Sequence, residues 1–123
     1  MFTIPQLLLN DPASGIALIV CLVFSLSFHE FSHGYVAYKL GDKTAYYKGR
    51  LTLNPMAHLD PMGSLMLLII GFGWAKPVPV NPMNLNNPNK DMVKVAFAGP
   101  ASNFILCLAG CMIVRNFGFI YND

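Results

Sequence analysis

Two histidines and a glutamate stand together at Phe28-His29-Glu30-Phe31-Ser32-His33, the one H-E-x-x-H of the 123-residue chain. Residues four apart on a helix lie about 40° apart in azimuth, so His29 and His33 project from one face and can share a metal ion. Neutral imidazoles at about 2.0–2.1 Å suit zinc. Glu30, beside the first histidine, can reach a metal-bound water without ligating, take its proton and later return one to a leaving amine. Zinc would lower the pKa of that water towards about 7 and polarise a scissile carbonyl. The bare pattern fixes only three positions, and the other reading is a histidine–carboxylate network that merely holds the fold. Context favours the metal. The motif follows Gly15 to Ser27 in the longest apolar run, and a glutamate at membrane depth costs about 2.5–3.5 kcal/mol or more unless partnered. Ser32 and Gly34 are small enough for a neighbouring helix or substrate to come close.

These side chains need a helix to carry them. Asp11-Pro12 reads as an N-cap followed by proline at the first helical position, and Gly41 suits a left-handed C-cap. A helix over 12–40 is roughly 43 Å long, more than a hydrocarbon core of about 30 Å, so it tilts or protrudes. His29 then lies about 26 Å from the start and about 16 Å from the end, in the second half of the span. Tyr35, Tyr38 and Lys39 follow as interfacial anchors. Residues 1–10 are apolar, short and broken by Pro5, and are expected along the membrane interface.

Residues 41–61 form a polar connector, with alternation suggesting a short hairpin around Lys48-Gly49. The apolar run from Met62 to Trp74 is too short to cross a bilayer, which needs about 20 residues. With basic residues on both flanks, segment 62–75 is expected to be re-entrant and to lie against the site; a short tilted span is the alternative. Residues 75–91 hold four of the nine prolines and read as an extended non-helical loop, either a strip that binds substrate or a surface linker. A second transmembrane helix is expected over 92–115. Its small residues Ala98, Ser102, Ala109 and Gly110 permit close helix approach, and Asn103 is a polar residue that needs a partner there. His58 and Asp60 form a second polar pair; Asp60 is a conceivable zinc ligand, but a cap before Pro61 is the simpler reading.

Composition agrees with membrane residence. Hydrophobic residues make up 54% and charged residues 11%, against about 25% charged in soluble domains. The net charge of +2 and the lack of a basic stripe argue against nucleic acid. Cys21, Cys107 and Cys111 lie in apolar runs without C-x-x-C spacing and read as small hydrophobes. The first eleven residues carry no Lys or Arg, so a cleaved signal peptide is not expected. Lys39, Lys43, Lys48, Arg50, Lys76, Lys90 and Lys94 fall on one side of this arrangement and only Arg115 on the other. That bias places the motif end of the first helix towards the cytoplasm and the N-terminus outside. The expected fold is thus an α-helical polytopic membrane protein with two long transmembrane helices, a re-entrant apolar hairpin and a Pro-rich loop.

Several stretches in order carry a resemblance: Phe28 to Gly34, Leu40-Gly41-Asp42, Gly49 to Pro55, His58 to Gly63, Gly73 to Pro82, and Gly99-Pro100-Ala101-Ser102-Asn103. Over nearly its whole length the chain resembles the site-2 protease family, the zinc intramembrane proteases, and most of all its short prokaryotic members. The resemblance implies Zn2+ on His29 and His33, Glu30 as general base, and Asn103 near the site, where it is expected to contact substrate. It also implies a membrane-lipid environment and cleavage of the transmembrane segment of a protein substrate. The family's third ligand is an aspartate on a later helix. Nothing like its motif follows Asn103, and the terminal Asp123 is not assigned that role. Residues 1–123 are therefore expected to be one partial domain, with the third ligand beyond residue 123. Two further readings stand beside this one: a non-catalytic membrane protein of the same fold that binds transmembrane clients without cutting, and a metal-handling membrane protein.

Overall fold

The computed structural model describes residues 3–116; Asp123 lies outside them. Five helices follow in order: α1 over Ile4–Asn10, α2 over Pro12–Lys39, α3 over Thr44–Tyr47, α4 over Pro61–Ile70 and α5 over Pro88–Asn116, with single 3-10 turns at Pro55–Ala57 and Pro82–Asn84. No strand forms among the described residues; the one bridge pairs Leu59 with Ala75.

Helix α2 has the ends its sequence marks. Asp11 accepts from the Ser14 N–H at 3.3 Å, and Pro12 opens the helix. Beyond Leu40, Gly41 takes φ 113°, and the Asp42 N–H returns to the Ala37 carbonyl at 2.9 Å. Helices α2 and α5 are long and apolar enough to cross a membrane, and only 11% of the apolar window of each is buried inside the protein. Most of that apolar surface therefore faces outward, unlike that of a core helix in a soluble domain.

Four expectations change. Pro5 does not break the N-terminal stretch: it lies at the start of α1, behind a Thr3–Gln6 capping box, where its missing N–H has no cost. Helix α1 folds onto α2, with Leu8 against Gly15, while Thr3 and Ile4 come within about 4 Å of where a side chain at Gly71 would begin. The hairpin around Lys48-Gly49 does not form. Residues 44–47 make one helical turn, and Gly49 at φ 68° ends it as a left-handed cap, so the Arg50 N–H reaches the Ala45 carbonyl at 2.8 Å. The Pro-rich loop ends earlier than 91, because Pro88 stands at a first helical position and α5 begins there; the Asp91 carboxylate accepts from the Asn87 N–H at 2.8 Å. In the second helix Ser102 is buried as expected, whereas Ala109 and Gly110 are exposed.

The segment between α2 and α5 goes out and comes back. Asp60 caps α4 by accepting from the Met62 and Gly63 N–H groups at 2.9 and 3.3 Å. Helix α4 is about 15 Å long and ends at Gly71, φ 79°. The chain then returns to its own start: Gly63 and Gly73 pack against each other, the Trp74 carbonyl sits on Gly63, and the Lys76 N–H donates to the His58 carbonyl at 2.9 Å. His58 is fully buried and its Nε2 lies 2.7 Å from the Thr52 carbonyl, which accepts its proton. Arg50 ties the two limbs by donating from Nη2 to the Lys76 carbonyl at 2.8 Å and from Nη1 to the Pro77 carbonyl at 3.4 Å.

Asp42, 1% exposed, anchors the far end of the returning limb. Its carboxylate accepts from the Asn81 N–H at 2.7 Å, the Thr44 N–H at 3.1 Å, the Thr44 hydroxyl and the Asn84 amide at 3.2 Å. Burial pushes its pKa up, but the hydrogen bonds from Thr44, Asn81 and Asn84 together outweigh it, and the carboxyl sits below its ordinary value. The stability it contributes is therefore present above the unfolded pKa of about 3.9 and is lost as pH falls through the lower folded value. Asp42→Asn should cost about 1–3 kcal/mol at pH 7. In detergent unfolding curves the gap to wild type should narrow only below about pH 4; a gap that does not change with pH would show that the charge of Asp42 is not what holds the loop.

Candidate metal centre

Helices α2 and α5 run antiparallel, and three pairs of residues meet across them at spacings of four. His33 meets Val95, His29 meets Gly99, and Ser25 meets Asn103. Buried Asp91, Val95, Gly99 and Ser102 mark the inner face of α5.

His33 Nδ1–H donates to the Val95 carbonyl at 2.6 Å. That leaves the lone pair of His33 on Nε2, which points at His29 Nε2 from 3.0 Å. Asn103 Nδ2–H donates to His29 Nδ1 at 3.0 Å, and the Ser25 hydroxyl donates to Asn103 Oδ1 at 3.1 Å. Glu30 lines two open clefts. One, of about 290 Å³, also touches Leu22, Ser25, Leu26, His29 and Asn103. The other, of about 330 Å³, touches His33 and the strip from Pro77 to Val80. One carboxylate oxygen of Glu30 accepts from the Val78 N–H at 3.0 Å, so the Pro-rich strip lies directly on this helix.

The donor set suits a zinc ion. Two imidazole nitrogens converge at a separation that one ion at about 2.0–2.1 Å from each can bridge, and the hydrogen bond from the far nitrogen of His33 is the usual way a ligand imidazole is oriented. The space between the rings depends on Gly99: a Cβ there would fall 2.6 Å from His29 Cε1 and Nε2 and onto His33 Nε2. Among the described residues no third His, Cys, Asp or Glu completes a group of three. His58 and Asp60 are engaged elsewhere, His58 with Thr52 and Asp60 as the cap of α4.

The sequence reading singled out His29, Glu30, His33 and Asn103. It did not find Ser25, nor the part played by Gly99 and the Val95 carbonyl. The signal available was arithmetic: Ser25, His29 and His33 repeat at four on one helix, and Val95, Gly99 and Asn103 repeat at four on the other. Gly99→Ala should therefore remove at least tenfold of zinc affinity, since a Cβ intrudes between the rings and overpacking typically costs about 1–3 kcal/mol. Helical circular dichroism should be unchanged; zinc titration giving wild-type affinity would refute the role of Gly99.

No family model and no solved structure matches the chain. Curated relatives do. Over 97 residues, 79% of its length, the chain is 50% identical to "Putative zinc metalloprotease YwhC" of Bacillus subtilis, covering 44% of that protein. It is 31% identical over 107 residues to "Putative zinc metalloprotease Rip2" of Mycolicibacterium smegmatis, 83% of this chain and 41% of that protein. It is 34% identical over 90 residues to Rip2 of Mycobacterium tuberculosis, 68% of this chain and 34% of that protein. The chain spans less than half the length of these curated relatives. Its similarity is to bacterial proteins that carry zinc metalloprotease in their names, and it supports a zinc metalloprotease family for this chain.

Proposed function

We propose that the chain is the core of a site-2-type intramembrane zinc endopeptidase, cleaving transmembrane segments of protein substrates within the cell membrane. One observation carries the reading: on a helix whose apolar surface faces outward, His29 and His33 Nε2 converge at 3.0 Å, and Glu30 lines the clefts on either side. The zinc metalloprotease names of the relatives support the hydrolytic class and the metal. The out-and-back path of residues 59–75 supports a re-entrant element, because exposed Leu68, Ile69, Ile70 and Phe72 need an apolar medium. Seven basic residues at the α2–α5 loop end, against Arg115 at the other, support a cytoplasmic position for that end and a multi-pass topology.

His29 and His33 would hold the ion, together with a ligand from outside the described residues. A zinc ion bound there supplies Lewis acidity to the substrate carbonyl and acidifies a water. The chain's own residues do the rest. Glu30 accepts the water's proton on its carboxylate and passes it to the leaving amine. Only one of its two oxygens accepts from the Val78 N–H, at 3.0 Å, which leaves the other to take the proton. The outward apolar faces of α2 and α5 keep the site among lipid, where a substrate helix already resides.

The competing reading of a non-catalytic client binder makes a different forecast for Glu30. In the full-length protein, Glu30→Gln should lower cleavage of a model transmembrane substrate by about 10²–10⁴-fold, while zinc content measured by atomic absorption stays at the wild-type level. Cleavage that persists at the wild-type rate would remove Glu30 as base. A wild-type protein that binds such a substrate without cutting it would establish the client binder instead.

A further inference from the structure

Two loop segments converge on the face of α2 that carries the candidate base. Glu30 and Gly34 are four apart on that helix and share a face. A side chain beginning at Gly34 would meet Leu51 Cδ1 and Val78 Cγ1, each at 3.3 Å. The outgoing limb and the returning strip therefore both lie against α2, one turn from Glu30. Arg50, next to Leu51, donates from Nη2 to the Lys76 carbonyl at 2.8 Å and from Nη1 to the Pro77 carbonyl at 3.4 Å. No ion pair claims Arg50 among the described residues, so its donors are spent on backbone carbonyls. The next residue of the strip, Val78, gives its N–H to one carboxylate oxygen of Glu30 at 3.0 Å. Between Pro77 and Pro79 it is the one N–H that the stretch possesses. The Pro77 carbonyl and the Val78 N–H belong to a single peptide group, which is planar and trans. Arg50 grips one edge of that plane and Glu30 the other.

We propose that Arg50 and the Val78 N–H are positioning groups for Glu30. The guanidinium fixes the strip, the strip presents the N–H, and the N–H fixes one carboxylate oxygen while the other stays free to take a proton. A glutamate has three side-chain torsions and much rotamer freedom to lose when it is held in one pose. A reacting group displaced by about 1 Å can lose about 10²-fold in rate, so a fixed carboxylate is worth having at a base. A hydrogen bond to a charged acceptor is of the stronger kind, and a cation on the carbonyl of the same peptide group polarises its N–H further. The planar fork of arginine reaches two successive carbonyls, which a point charge on lysine does not match. Neither Arg50 nor Val78 touches the reacting atoms; both act through Glu30.

This inference rests on the zinc endopeptidase reading, and the test separates the two. In the full-length protein in detergent, kcat and KM for a model transmembrane substrate, and zinc affinity by chelator competition, are measured for wild type, Arg50→Ala, Arg50→Lys, Val78→Ala and Val78→Pro. Val78→Pro removes the N–H, whereas Val78→Ala keeps it and loses only the contact at Gly34. Arg50→Ala and Val78→Pro should lower kcat about 10–100-fold, with KM and zinc affinity within about threefold of wild type. Val78→Pro should be at least about tenfold slower than Val78→Ala. Arg50→Lys, able to satisfy one carbonyl, should fall between wild type and Arg50→Ala. Amide hydrogen exchange in valine-labelled protein should show Val78 protected in wild type and at least about tenfold faster in Arg50→Ala, with buried Val95 unchanged. General loosening of the fold would not give that split. Wild-type kcat in Arg50→Ala and Val78→Pro, a loss confined to KM, or a Val78 amide that stays protected in Arg50→Ala would overturn the positioning role and leave the protease reading standing. A full-length wild type that cuts no such substrate would overturn both.

Discussion

The close antiparallel contact of α2 with α5 is the constraint on which the rest depends. Glycine at position 99 lets the second helix come near enough for both imidazoles to lie against its backbone. With a spacing of four on each helix, one contact fixes its neighbours one turn away. Ser25 then meets Asn103, and His33 meets the Val95 carbonyl. The side-chain amide of Asn103 is a polar group inside a long apolar helix, where an unpaired group is costly. It finds its partners in Ser25 and His29, so helix packing and site geometry are satisfied by the same hydrogen bonds. Pro100 stands next to this contact and supplies no N–H to the Ala96 carbonyl, a local loosening that such helices tolerate when neighbours compensate.

The loops are held to this helix pair by polar clamps. Asp42 gathers backbone and side-chain donors from Thr44, Asn81 and Asn84 at the end of α2. Arg50 closes the outgoing limb on the returning one through the Lys76 and Pro77 carbonyls. Glu30 closes the returning limb on α2 through the Val78 N–H. The third clamp differs in kind, because the group that makes it is the candidate base. A segment rich in proline has few N–H groups to offer, and Val78, set between Pro77 and Pro79, offers one to the carboxylate. The strip beside the clefts is in this way held without a sheet ladder.

Surface chemistry separates two environments. Around α4 and along α2 and α5 the outward residues are leucine, isoleucine, phenylalanine and valine. Around the connector they are lysine, asparagine and tyrosine, with Lys39 over the Tyr35 ring and Lys43 over the Tyr38 ring at 5.5 and 5.7 Å. Amphipathic aromatic rings and long basic side chains suit a boundary between apolar and aqueous media. The histidines lie on the apolar side of that boundary, about 1.7 and 2.8 turns before Lys39 along α2.

Much was legible from residue types and spacing. H-E-x-x-H named the two convergent imidazoles and the carboxylate, since a period of 3.6 is a property of any helix. Asp11-Pro12 and Gly41 bounded α2 to within a residue, since caps are local hydrogen-bond chemistry. Asp60-Pro61 marked the start of α4 by the same logic. The errors arose where a local signal had two meanings. Alternation near Lys48-Gly49 suggested strands, but no partner strand forms among the described residues, and Gly49 serves a helical turn. Pro88 suggested a loop but opens a helix, because proline is excluded only from later turns. Tertiary structure alone decided the rest: that Ser25 reaches Asn103, that Gly99 faces the imidazoles, and that Glu30 binds the loop at Val78. These contacts join residues 48 to 78 positions apart. No local propensity encodes such pairs; they exist only once the register of one helix against another is set.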